Sequence, residues 1–86
     1  MRVTRKLVAE KLAGHLRHQI SLPELVNWAE SAMMEGEFEE AALLDIRDVV
    51  ARLGLADVRA FGLTWEDCEW LLKKLGYSAR VEITAA

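Results

Sequence analysis

The chain has 86 residues, a mass of 9.7 kDa and a formal net charge of −3, which is the size of one domain, and a hydrophobic content of 52% argues against disorder in all but the ends. Surface scaling has roughly 64% of the unfolded surface buried on folding, enough for one modest core. The single cysteine, Cys68, excludes an internal disulfide and has no companions at metal-ligand spacing, so a reducing cytoplasm is the expected compartment and neither cofactor nor metal is expected.

No apolar run approaches the length of a membrane span. The basic opening, Met1 to Lys6, has the start of a signal peptide, but Leu7-Val8-Ala9 is stopped at once by Glu10-Lys11. Charge is unevenly spread. Residues 1–20 carry Arg2, Arg5, Lys6, Lys11 and Arg17 against Glu10 alone; residues 21–48 carry eight acidic groups against Arg47; the remainder balances. An acidic block of this kind repels phosphate backbones and attracts a basic protein surface. The alternative is that the positive opening segment complements it within the fold.

In chain order, a first helix is predicted over about Thr4 to Gln19. Val8, Leu12, Leu16 and Ile20 recur every four residues beside Ala9 and Ala13, a single buried stripe. Gly14 lies off the stripe by angle and marks a kink or an early end. Ser21-Leu22-Pro23-Glu24 is the clearest local signal: Ser21 caps, Glu24 closes the box, Pro23 suits the first turn, and Ile20 with Leu25 forms a hydrophobic staple. The second helix then runs to about Glu35, burying Leu22, Leu25, Val26, Ala29, Ala32 and Met33, with Trp28 at the edge.

The third helix is predicted over Glu37 to Gly54, with Phe38, Ala42, Ile46, Val49 and Leu53 on one face and Val50 at its margin. Gly36 and Gly54 bound it, where a left-handed backbone would separate helices. With the second helix it makes an acidic hairpin. Asp57 to Gly62 reads as a turn in preference to a short strand. Thr64 to Asp67 is a weaker cap, and the fourth helix follows to Leu75, ended by Gly76, with Trp65, Cys68, Leu71, Leu72 and Leu75 in its stripe. From Tyr77 the period becomes two: Tyr77, Ala79, Val81 and Ile83 alternate with Ser78, Arg80, Glu82 and Thr84, as in a half-buried strand. A lone strand needs a partner, either Met1 to Thr4, Asp57 to Gly62, or the same segment of a second chain.

The expected fold is therefore mainly α: one domain over residues 1–86, a compact bundle of four main helices with a short carboxyl-terminal strand, the alternative being α+β with a small two- or three-stranded sheet. No catalytic constellation stands out. The carboxylates of Glu35, Glu37, Glu39, Glu40, Asp45 and Asp48 decorate an exposed helix start, as the dipole favours, and not a dry pocket that would separate their pKa values. Cys68 sits on an apolar stripe with no histidine placed beside it, and His15 and His18 have metal-compatible spacing but no third ligand.

Trp70 lies opposite the fourth helix's stripe, among Glu66, Asp67, Lys73 and Lys74, a setting typical of a binding anchor; the alternative, which carries more weight in so small a chain, is that the carboxyl-terminal strand or the first helix covers it. Met34 and Leu44 are similarly opposed to their stripes. The expected function is non-enzymatic: a small cytoplasmic interaction protein that meets a basic protein partner through Glu35, Glu37, Glu39, Glu40, Leu44, Asp48, Glu66 and Trp70, the physical build of an antitoxin or immunity-type inhibitor. The alternative is a DNA-associated transcriptional regulator, a homodimer through the last strand, using the basic first helix. For that reading, Val49 to Leu55 has the outline of the first half of a helix-turn-helix, but the residues after it are short of positive charge.

Overall fold

The computed structural model describes residues 1–85. Its elements in order are β1 (Arg2–Val3), α1 (Arg5–Leu16), α2 (Leu22–Glu35), β2 (Glu37–Phe38), a 3-10 turn (Glu40–Ala42), α3 (Leu43–Leu53) and α4 (Trp65–Lys74). The molecule is mainly helical with a two-stranded parallel sheet, in the register Arg2 to Glu37 and Val3 to Phe38. Parallel strands need a long crossover, and α1 with α2 supplies it.

The start of the third helix differs from expectation. Residues 37–42 form β2 and the 3-10 turn instead of helix, and α3 begins at Leu43. The Glu37 N–H donates to the Met1 carbonyl at 2.7 Å and the Glu39 N–H to the Val3 carbonyl at 2.9 Å. Backbone groups that a helix would satisfy locally are thus taken by β1, and the four-residue recurrence of Phe38, Ala42 and Ile46 spans a break. The expected left-handed glycines are corrected as well: Gly36 is extended at φ −78°, ψ 145° and Gly54 is right-handed at φ −64°. Gly36 is required for space. A β-carbon there would press into the Ala32 carbonyl and stand 2.7 Å from Val3 Cγ2.

Helix caps carry the remaining boundaries. Thr4 accepts the Leu7 N–H, so α1 starts as expected, but it ends at Leu16 and the chain turns back through His18 at φ 61°. His15 Nδ1 lies 3.0 Å from the Ile20 carbonyl, across that return. Of the two readings of Gly14 the early end is the one met: α1 stops two residues after it, and Ile20 folds back over Gly14, which is buried beneath it. At Ser21 the hydroxyl accepts the Glu24 N–H and donates to the Glu24 carboxylate. The complete reciprocal box is the one expected to be weaker, Thr64 with Asp67. Residues 54–61 are turn, as expected, closed by the Phe61 and Gly62 N–H groups on the Val58 carbonyl, with Gly62 at φ 62°.

The core joins Val3, Val8, Leu12, Leu25, Ala29, Ile46, Val49, Leu53, Leu71 and Leu75, with α2 and α3 the most closely packed pair of helices. Met33, expected in this core, is exposed.

The expected carboxyl-terminal strand is not formed within the chain. Tyr77 donates its N–H to the Leu72 carbonyl; beyond it, among the described residues, no backbone hydrogen bond involves residues 78–85. Both intramolecular partners considered for it are occupied otherwise, Met1 to Thr4 by β2 and Asp57 to Gly62 by its own turn. The total accessible surface, 5988 Å², exceeds the roughly 5,100 Å² typical of this mass, in keeping with an uncovered tail.

Candidate protein-binding face

Helix α4 sets up the site by what it turns inward. Cys68, Leu71, Leu72 and Leu75 are buried, and at about 100° per residue that places Glu66, Trp70 and Lys73 on the outer side. Trp70 is 60% exposed. The Lys74 ammonium lies 5.3 Å from the centroid of its ring, a cation–π geometry, and the same ammonium reaches across to α3, 3.7 Å from Asp45 and 3.5 Å from Asp48. Leu44, 73% exposed, precedes Asp48 by four residues and so shares its face of α3. Glu66 stands one turn before Trp70 in the same way.

Leu44, Asp48, Trp70 and Glu66 therefore belong to one surface spanning α3 and α4, with Lys74 as the link. A shallow open depression of about 290 Å³ between Trp70, Lys73 and Lys74 lies on it. The sequence placed Lys74 among the charges around Trp70 but gave it no part in the site. Its four-residue spacing from Trp70 was the signal for the ring contact, and nothing local signalled the reach to α3.

The other expected site residues lie elsewhere. Glu35 ends α2, Glu37 is in β2, and Glu39 and Glu40 open the 3-10 turn, so the acidic hairpin is two helices joined by an irregular acidic connector. Glu35, Glu37 and Glu40 are exposed. Glu39 is turned onto the positive opening segment: its Oε1 accepts the Arg5 N–H at 3.3 Å and lies 3.8 Å from Arg5 Nε. Met34, 84% exposed on α2, is not tied by any ion pair or hydrogen bond to the Trp70 surface among the described residues.

A second concavity was not foreseen. An open cleft of about 870 Å³ runs between α1, the start of α4 and residues 77–82, floored by Ala9, Ala13, Leu16 and Leu72 and rimmed by Lys6, Arg17 and Arg80. Its apolar floor follows from the α1 stripe; its open side follows from the tail's lack of a strand partner.

Two titratable groups, Asp67 and Cys68, are displaced from their ordinary values. Hydrogen bonding by the Thr64 backbone and then its side chain holds the Asp67 carboxyl below its ordinary value, with the Arg52 charge a smaller aid. Burial, then the Asp67 charge, pushes the Cys68 thiol up. Among the described residues no cluster of three or more His, Cys, Asp or Glu has metal-binding geometry, and no helix is long and apolar enough to cross a membrane. Comparison with models of protein families, with curated proteins and with solved structures finds no match to this chain.

Proposed function

We propose that the protein is a non-enzymatic interaction module of a reducing compartment that docks a basic protein partner on the face formed by α3 and α4. The observation that carries this reading is Trp70, more than half exposed, packed under Lys74, which reaches Asp45 and Asp48, with Glu66 one turn before it on the same helix. A large exposed aromatic inside a charged rim is the usual composition of a binding hot spot. The exposed Glu35, Glu37 and Glu40 add long-range attraction for a positive surface, which raises the rate of encounter more than the final affinity. An antitoxin or immunity-type inhibitor fits this division between steering charge and apolar anchor.

The DNA-associated alternative draws less support. On α1, Arg5 is engaged by Glu39 and Lys11 lies 5.6 Å from the Trp28 ring, while α4, which would follow α3 as a recognition helix, begins with the acidic pair Glu66 and Asp67. Phosphate contacts need free cations on the presented face.

The test is recovery of the partner by co-purification from the native source, followed by affinity measurements on the isolated pair. Trp70→Ala is expected to weaken binding roughly thirtyfold or more, and joint Glu35→Gln, Glu37→Gln and Glu40→Gln to slow association and flatten its salt dependence. Full affinity in both variants removes the reading. A mobility shift of duplex DNA at low salt that disappears with Arg5→Ala and Lys6→Ala replaces it with the alternative.

A further inference from the structure

We infer that residues 77–85 are the pairing element of a two-fold homodimer, two copies joined tail to tail as an antiparallel ladder centred on Val81. The segment has the alternation and β-branched content of a strand, yet residues 78–85 make no backbone hydrogen bond among the described residues, Val81 is 66% exposed and Ile83 94%. Its first apolar residue beyond Tyr77, Ala79, already packs against the core, so one face is oriented by the domain while the backbone edges carry unpaired donors and acceptors among the described residues.

The occupant is identified by self-complementarity. Residues directly opposite in an antiparallel pair share a face, so any register with an odd offset sets apolar against polar side chains. Of the even registers near the middle of the segment, centring on Arg80 opposes two arginines and centring on Glu82 opposes two glutamates. Centring on Val81 sets Arg80 against Glu82 of the second copy, twice by symmetry, Ser78 against Thr84, Ala79 against Ile83, and Val81 against itself. Arg80 and Glu82 already share a face, with Nη2 2.9 Å from Oε1 in the single chain. Because Ala79 faces the body of the domain, Ile83 of the second copy lands beside it, over the cleft floor of Ala9, Ala13 and Leu16. The arrangement therefore covers the most exposed large apolar side chain of the chain and fills the open side of the cleft together. It is independent of the Trp70 face, which lies on other elements.

The experiment is the solution mass of the full chain by sedimentation over a concentration series, with Arg80→Glu, Glu82→Arg and their equimolar mixture. The wild-type chain is expected to dimerise. Each single variant opposes like charges at both symmetry-related pairs and is expected to raise the dissociation constant about tenfold or more. The mixture restores opposite charges across both pairs and is expected to form a heterodimer at wild-type affinity, an outcome that loss of the ion pair within one chain cannot produce. A single-chain mass at the highest attainable concentration overturns the inference, as does a dimer that either variant leaves unchanged or a mixture no tighter than its components.

Discussion

Arg52 and Asp67 meet at 3.4 Å across the junction of α3 and α4, and the Asp67 oxygen that receives the guanidinium also accepts the Thr64 N–H at 2.9 Å. One carboxylate thus caps α4 and ties it to the end of α3. The guanidinium also lies 5.6 Å from the Phe61 ring, and its Nη2 is 3.5 Å from the Phe61 carbonyl, so the same arginine holds the intervening turn. The Trp70 surface depends on this junction, because it fixes where α4 starts and which residues face outward.

Removing the cap tests that dependence. Thr64→Ala is expected to cost about 1 kcal/mol and lower the melting temperature by about 4–8 °C, measured by thermal circular dichroism. The Asp67 carboxyl, held below its ordinary 3.8 in the fold, adds stability that is complete above that value and is lost as pH falls through the depressed folded value. Urea midpoints of the wild type and Asp67→Asn should therefore differ by a constant amount above about pH 4 and converge below it.

Gly36 and Gly54 look alike in sequence and should behave oppositely. Gly36→Ala drives a β-carbon into the Ala32 carbonyl and Val3 and is expected to destabilise by about 1–3 kcal/mol. Gly54→Ala meets only ordinary contacts at 3.5 Å and beyond, on right-handed backbone, and should be neutral or stabilising by up to about 1 kcal/mol. Urea denaturation of the two variants decides it.

Cys68 should be inert toward a thiol reagent such as a disulfide dye until the chain unfolds, so that its labelling rate tracks denaturant concentration through the unfolding transition. Its ionisation is raised above 9.0 by burial and by the Asp67 charge. The thiol's contribution is present in full below that pH and declines as pH rises past it, since the unfolded chain ionises first.

Trp70 lies outside the buried core. Trp70→Ala is expected to change stability by less than about 1 kcal/mol, as for a substitution away from the core. Leu53→Ala, in the fully buried stripe of α3, should cost about 2–5 kcal/mol. Comparable losses in the two variants, read from urea midpoints, would place Trp70 in the core.

Much of the helical scheme was readable from local signals. Ser21 and Thr64 announce the starts of α2 and α4, Gly62 and Gly76 adopt the left-handed backbone that ends their segments, and the stripes of α1, α2 and α4 name most of the core. Each such signal works within a turn of helix, among residues that are neighbours whatever the rest of the chain does. The misreadings cluster where a distant partner competes. Glu37 and Phe38 have the recurrence of a helix but lie in β2 because β1 offers its backbone, and Met33 faces solvent although α1 and α3 both pack on α2.

The candidate site divides along the same line. That Trp70 opposes the stripe of α4 is a property of helical spacing and was set by the order of residues alone. That it stays uncovered, that Lys74 bridges it to Asp45 and Asp48, and that Glu39 is withdrawn onto Arg5 were decided only when the helices came together. Contacts between residues far apart in the chain depend on which surfaces win the limited buried area, a competition settled by the packing of the whole molecule.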